Sequence, residues 1–292
     1  MFERLGLIGC GLMGGSFALA LREAGLVRHI VGFSASSTTT QRAQALGVID
    51  EAVDSAAQAA QGADLVLLAV PVAATESTLT AIRDVLHPDA LLMDVGSTKS
   101  DVIAAAERAL GDALPCFVPA HPIAGKERAG VEHAEATLYR GRHVILTPLA
   151  STGTHQLTRA RAVWTALGGR LVEMSPQAHD TTFAAVSHLP HLLAFAFIQG
   201  IAQQADGQAI LGLGGPGFRD FTRIAAAEPR MWRDIFLANQ QELLAQLREH
   251  QSALAQFEQL ITTNDAVGLE RLIAQASDVR AHWHMDSLKP GT

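Results

Sequence analysis

Cysteine is nearly missing from the sequence: Cys10 and Cys116 are the only two among 292 residues, and they stand in no paired spacing. That argues against a disulfide framework or a thiolate zinc site, and it fits a reducing compartment such as the cytoplasm. Basic clusters are missing too. Lys and Arg number 22 against 29 Asp and Glu, for a net charge of −7, and no positive stripe offers the footprint that a nucleic-acid backbone needs. The N-terminus MFERLGLIGCGLMGG carries an acid and a base before a glycine-broken apolar run, so no signal peptide is expected. No later apolar run reaches the roughly 18 residues of a membrane span, and neither nucleic acid nor membrane is expected as a partner. Charged residues are 17% of the chain and apolar residues 48%, a composition that builds a large core, in a length comfortable for two domains.

What is present falls into two textures. Up to residue 174, short apolar runs alternate with helix-like stretches: 5–8, 30–33, 65–70, 91–95, 117–120, 144–146 and 171–173. Runs without polar alternation suit strands buried on both faces, and their alternation with helices predicts an α/β fold with a doubly wound parallel sheet. Pro71, Pro119 and Pro148 close three of these runs, where a lost N–H does least damage. From Ser175 onward strand-like runs vanish, and Ala-, Leu- and Gln-rich stretches predict an all-helical C-terminal domain. The segment 184–201 is apolar on nearly every face, as for a helix surrounded by others. Phe236, Leu243, Leu247, Leu254, Phe257 and Ile261 lay one stripe along a long amphipathic helix, which reads either as core or as a dimer seam.

The first run leads directly into Gly9-Cys10-Gly11-Leu12-Met13-Gly14 and then a helix-like stretch to Ala24, with a further strand at 30–33. A GxGxxG in that context is a dinucleotide fingerprint. Gly9 allows the tight turn, Gly11 lets backbone approach a pyrophosphate, and Gly14 lets helix pack on strand. The N–H groups that follow, at Leu12 and Met13, meet the anion. Val70 and Pro71, closing the third run, are expected beside the same ligand. NAD-binding versions of this fold place an acid at the end of the second strand to hold the ribose 2′-hydroxyl. Here the position is Ser34, followed by Ser36, Ser37, Thr38 and Arg42. With no acid to repel a 2′-phosphate, NADP is expected to be accepted and preferred over NAD. The same hydroxyls also suit the cap of the next helix.

Ser97, in DVGSTKS, and His121, in PAHPIAGKE, close the fourth and fifth runs. Ligands of doubly wound sheets lie beyond the carboxyl ends of the strands, so the two form a candidate acid/base pair, although a histidine in a loop also reads as structural. His179, Asp180, His188 and His191 lie within thirteen residues and invite a metal reading. Pro190 disturbs the helical face between the histidines, and no metal is expected.

Taken together, GLIGCGLMGGS, DVGSTKS, HPIAGKE, QAHD followed by SHLPH, GFRDFTRIA and MWRDI resemble, in this order, the prephenate dehydrogenase family, which includes arogenate and cyclohexadienyl dehydrogenases. The resemblance runs from about residue 3 to 265. It implies a Rossmann-type dinucleotide-binding domain over 1–174 and a helical substrate-binding and dimerisation domain over 175–292, assembled as a homodimer. The implied reaction is oxidative decarboxylation of prephenate to 4-hydroxyphenylpyruvate with hydride transfer to NAD(P), in tyrosine biosynthesis; arogenate or dual specificity remains an alternative. His121 matches the catalytic histidine of the HP(I/M)AG motif, and Ser97 the serine that orients it and touches the substrate hydroxyl. Glu127 falls where relatives carry an acid that gates the pocket. Ser187 and His191 match substrate-binding positions, Arg223 the arginine that pairs with a substrate carboxylate, and Arg219 a weaker second cation. His179 and His188 are expected to be structural, bonded to carbonyls or neighbouring acids. The chain is expected to lack a fused chorismate mutase or regulatory domain, so that any feedback by tyrosine acts at the active site. Two other readings stay in view. Beta-hydroxyacid dehydrogenases and imine reductases usually carry a lysine in the helical domain, and none occurs between Glu127 and Lys289; an NADP-sensing regulator would need no base.

Overall fold

The computed structural model describes residues 1–126 and 128–284. Glu127 and its expected gating role therefore lie outside the described residues. The chain divides into two compact units, 1–240 and 241–292.

In the first unit a parallel sheet of six strands has the order β3-β2-β1-β4-β5-β6. These are β1 (Phe2–Ile8), β2 (Val27–Phe33), β3 (Glu51–Ala52), β4 (Leu65–Leu68), β5 (Leu91–Asp94) and β6 (Phe117–Val118). The helices among them are α1 (Leu12–Glu23), α2 (Ser37–Ala45), α3 (Ala56–Ala60), α4 (Thr75–Ile82) and α5 (Ser100–Leu110). Side chains along each strand alternate between two cores, as a period of two requires. Leu65 and Leu67 of β4 join Phe17 and Leu21 of α1 on one face. Val66 and Leu68 join Ala59 of α3 and Ile82 of α4 on the other. A sheet buried on both faces has no polar side, which is why its strands read as unbroken apolar runs.

The fifth run departs from the sequence expectation. Instead of one parallel strand over 117–120, Phe117–Val118 stays in the large sheet and β7 (Ala120–Pro122) leaves it. β7 joins a second sheet of order β7-β8-β9, with β8 at His143–Leu146 and β9 at Arg170–Glu173. It runs antiparallel to β8, with His121 opposite Ile145. Pro119 sits at the changeover, where its missing N–H leaves the first ladder without a donor. Its carbonyl accepts from Thr147 of the second sheet's neighbourhood at 3.1 Å. Pro122 is tolerated in a strand because β7 is an edge.

α6 (Thr154–Ala166) covers the first core with Trp164, fully buried and edge-on to Phe17 and Tyr139. After β9 only helices follow: α7 (Pro176–Phe183), α8 (Leu189–Ala202), α9 (Gly207–Leu211), α10 (Pro216–Thr222), α11 (Pro229–Ala238), α12 (Gln240–Thr262) and α13 (Ala266–His282). A π-helical turn, Ala184–His188, joins α7 to α8 without a break. The resulting path Pro176–Ala202 is, among the described residues, the one helix long and apolar enough to cross a membrane, with a mean hydropathy of 1.4 in its best window. Contrary to the expectation of a helix enclosed by others, only 28% of that window is buried. The long amphipathic helix expected from residue 236 is likewise two helices, because Asn239 leaves helical geometry at φ −109°, ψ 37°.

The second unit consists of most of α12 and α13. Asp265 caps α13 by accepting the Gly268 N–H at 2.9 Å. Leu254 and Ile261, the outer members of the expected stripe, are exposed in the single chain.

Candidate active site

The glycine turn between β1 and α1 has the shape a pyrophosphate needs. Gly9 has φ +101°, and a Cβ there would lie 2.2 Å from the Ala69 carbonyl oxygen. Gly14 is as crowded, its hypothetical Cβ falling 2.0 Å from the Gly9 oxygen. Gly11 is different: a Cβ would meet nothing within 4 Å, so its glycine leaves room on the ligand side. α1 begins with Gly11 as an N-cap that offers no side-chain bond and with no acid in its first turn. The N–H groups of Leu12 and Met13 therefore start a helix whose positive end is available to an anion. These residues fit a dinucleotide. Tyr139, the only tyrosine, braces the helix by donating its hydroxyl to the Met13 carbonyl at 2.7 Å.

At the end of β2, Ser34 Oγ accepts the Cys10 N–H at 2.9 Å, tying the glycine turn to the second strand and leaving the hydroxyl proton to donate elsewhere. Ser36 Oγ and Thr38 Oγ1 are 2.6 Å apart, and Ser36 precedes α2 without a side-chain cap bond; Ser37 opens the helix. Arg42 is on the surface in an ion pair with Glu132 at 3.2 Å. Val70 and Pro71 follow β4, partly buried and exposed respectively.

The polar centre lies at the ends of β5 and β7. Asp94 closes β5 and is almost fully buried. Its Oδ1 accepts the Ala120 N–H at 3.0 Å, and its Oδ2 accepts the Gly96 N–H at 2.8 Å together with the fully buried Lys99 ammonium. One carboxylate thus holds the turn after β5 and the strand that carries His121. Breaking such a buried pair by removing one partner costs about 3–5 kcal/mol.

His121 Nδ1 is 2.8 Å from His179 Nε2, and His179 Nδ1 is 2.8 Å from Asp180 Oδ1. Asp180 also accepts the backbone N–H of Lys99 on Oδ1 at 2.9 Å and of Ser100 on Oδ2 at 2.8 Å. Burial acts to raise the Asp180 carboxyl, but the bonds from His179, Ser100 and Lys99 outweigh it and hold the group at about 2. Burial pushes His121 well below the ordinary histidine range, and the repulsion a protonated ring would meet from His179, Lys99 and His188 in their charged forms lowers it further. His179 is lowered by burial as well, and by Lys99, against the pull of Asp180. Both imidazoles are therefore neutral at pH 7. Phe183 packs against both rings, at centroid distances of 4.9 Å from His121 and 4.5 Å from His179.

Ser97 lies between β5 and α5, partly buried. Its hydroxyl makes no hydrogen bond to His121 in this structure; the partner of His121 is His179, which sequence reasoning set aside as structural. His179 does bond a neighbouring acid as expected, but its second nitrogen faces His121 across 58 residues of sequence. Only the adjacency in Gln177-Ala178-His179-Asp180 hinted at a charge-fixed imidazole.

His191, partly buried, turns Nδ1 to the Ser187 carbonyl at 2.9 Å and stacks on Trp232 at 3.6 Å between centroids. Burial lowers its affinity for a proton, and the charge of Arg223 lowers it further, so Arg223 stands near His191. Arg219 is on the surface beside Asp220, its guanidinium 3.2 Å from that carboxylate. Trp232 joins this cluster through the stacked contact, which the MWRDI motif by itself did not indicate. Burial holds His188 down to about 4, and its Nδ1 lies 3.1 Å from the Asn239 amide, which also donates to the Asp180 carbonyl at 2.8 Å. No His, Cys, Asp and Glu cluster suited to a metal occurs among the described residues.

Residues 17–173 match the family model for the prephenate dehydrogenase nucleotide-binding domain, and residues 175–275 the model for the prephenate dehydrogenase dimerization domain. A cyclohexadienyl dehydrogenase from Zymomonas mobilis is 35% identical over 269 residues, covering 91% of this chain and 90% of that protein. The crystal structure of prephenate dehydrogenase from Aquifex aeolicus, in complex with hydroxyphenyl propionate and NAD+, superposes with a TM-score of 0.89 at 35% identity, covering 96% of this chain and 98% of the other. The Synechocystis arogenate dehydrogenase structure gives 0.80 at 30% identity, over 96% and 99% of the two chains. This chain belongs to the prephenate dehydrogenase family.

Proposed function

We propose that the protein oxidises and decarboxylates prephenate to 4-hydroxyphenylpyruvate, with NADP preferred over NAD, and that His121 is the base. One observation carries the assignment. His121 is a neutral imidazole fixed through Nδ1 whose Nε2 makes no hydrogen bond among the described residues. An unprotonated ring nitrogen on a partly open side chain is what removal of a hydroxyl proton requires. When bound, the nicotinamide accepts the hydride from the ring carbon that bears this hydroxyl. His121 takes the proton as the carbonyl forms, and Ser97 holds the substrate oxygen. Loss of carbon dioxide then aromatises the ring without help from a metal. Arg223 meets a substrate carboxylate with its planar fork, His191 and Ser187 line the same pocket, and Arg219 supplies a second, more distant positive charge.

Residues 1–174 hold the dinucleotide in this reading, and 175–292 bind substrate and pair two copies. The name of the second family model supports the homodimer. So do Val186, Leu213, Phe221 and Leu237, apolar side chains all more than half exposed in one protomer. Scattered apolar residues are ordinary, but these four all fall within residues 186–237 of the helical segment, which supports a surface that is covered.

Ser34 supports the NADP preference, because its hydroxyl proton is available to a phosphate oxygen and no carboxylate takes its place. Glu132 opposes it, since a 2′-phosphate must compete for Arg42. Replacing Ser34 by Asp is expected to move the kcat/KM ratio toward NAD by about tenfold, a difference of roughly 1.4 kcal/mol. Glu132→Gln is expected to move it toward NADP. Unchanged ratios in both variants would remove the 2′-phosphate site from this end of β2. Reduction of NADP and of NAD, each with prephenate and with arogenate, tests the whole reading. Turnover of arogenate alone would replace the proposed substrate.

A further inference from the structure

The hydrogen bonds behind His121 form a directed chain. Asp180 is ionised, so it only accepts, and His179 Nδ1 must carry the proton between them. A neutral His179 then presents a bare Nε2, which makes His121 Nδ1 the donor across their 2.8 Å contact. His121, neutral as well, is left with its free electron pair on Nε2. The tautomer of the outer ring is therefore dictated by a carboxylate two groups away.

We propose that His179 and Asp180 are positioning residues for the base: they lock His121 with Nδ1 protonated and Nε2 bare, and they spread the positive charge it gains. The proposal rests on His121 being the base. As Nε2 accepts the substrate hydroxyl proton, the O–H bond breaks and an N–H bond forms. The His121 Nδ1 proton shifts toward His179 Nε2, and the His179 Nδ1 proton toward Asp180, so the new charge is drawn to the carboxylate. Decarboxylation sends the electron pair of the broken C–C bond into the ring and onto the former hydroxyl oxygen. That oxygen recovers the proton from His121 Nε2, and the chain returns to its starting state. No proton is gained or lost overall.

The surroundings favour a charge held here only briefly. Asp94 faces the pair from the end of β5, Lys99 from the turn after it, His188 from the π-helical turn, and Asp180 from α7 itself. The Lys99 ammonium is spent on Asp94, which leaves Asp180 as the acid bonded to His179. Phe183, lying against both imidazoles, opposes the ring rotation that would exchange the two nitrogens.

Nitrogen-15 imidazole spectra of the ligand-free parent protein test the tautomers directly, and are expected to show Nδ1–H on both His121 and His179. Asp180→Asn, which removes the charge, is expected to lower kcat by about 10²-fold or more with KM within a few-fold, the loss being roughly 10⁴-fold in triads whose imidazole adopts the wrong tautomer. His121 should then show an Nε2–H signal, and the acid limb of the kcat profile should move. His179→Gln supplies an amide oxygen to accept and an amide nitrogen to donate, so it should retain more activity than His179→Phe by tenfold or more. An Nε2–H signal on His121 in the parent protein overturns the proposal. So does an Asp180→Asn enzyme with unaltered kcat and acid limb, or equal activity in the two His179 variants. Should Asp180→Asn fail to fold, the parent spectrum and the His179 pair still decide. The two readings fail separately: an active His121→Asn enzyme removes the base itself, whereas an inactive one with unaffected Asp180→Asn removes only this chain.

Discussion

His121→Asn is expected to lose turnover by about 10²–10⁴-fold, the usual contribution of a positioned base, while binding the dinucleotide as tightly as the parent. The separation follows from geometry. His121 sits on β7, opposite Ile145 in the second sheet, whereas the glycine turn is built between β1 and α1. Asparagine keeps a hydrogen-bonding group toward His179 but has no second nitrogen at the outer edge of a ring. Cofactor fluorescence titration and steady-state rates measure the two properties independently. Loss of both together would mean that the histidine supports the fold rather than the reaction. The low proton affinity of His121 adds a pH expectation. Its neutral form acts, and burial extends that form below the ordinary histidine range, so kcat should hold through neutrality and decline only on the acid side of about 6.5.

The second large effect separates two glycines that a motif treats alike. Gly9→Ala places a Cβ 2.2 Å from the Ala69 carbonyl oxygen on a backbone with φ +101°. Strained backbone and an immovable neighbour together should cost about 3 kcal/mol or more, lowering the melting temperature along with cofactor affinity. Gly11→Ala meets nothing within 4 Å. It should melt as the parent does and still bind the dinucleotide at least tenfold more weakly, because the added methyl fills the approach to the pyrophosphate. Thermal melts with and without NADP measure both effects, and a destabilised Gly11→Ala protein would contradict this account of the turn.

The large sheet was legible because its strands are enclosed on both faces, and burial leaves a direct trace in runs such as LVLL at 65–68. The nucleotide turn was legible because its function is carried by backbone shape, for which glycine is the visible sign. Where β6 gives way to β7 was not legible. Residues 117–120 are uniformly apolar, and the transfer to the second sheet depends on Asp94 capturing the Ala120 N–H from 26 positions away. The break at Asn239 was hidden for a similar reason: the apolar spacing continues through it, while the asparagine serves His188 and the Asp180 carbonyl. The contact of His179 with His121 was not legible, because a partner 58 residues distant leaves no local pattern. Arg223 is near enough to His191 for its charge to oppose protonation of that ring, a proximity across 32 positions that no local spacing could show.

The π-helical turn at Ala184–His188 has an effect on chain register. Such turns behave as a single extra residue inside an α-helix, and one residue amounts to about 100° of rotation around the axis. Everything C-terminal to it is turned by that much relative to α7, including the face on which His191 meets Trp232. Deleting one residue within the turn would leave composition and apolarity nearly untouched, yet it would swing His191 a quarter-turn away from the indole while His179 stayed in place. The two histidines belong to one continuous rod and are aligned by its one irregularity, so the length of this segment is as much a part of the site as the side chains it carries.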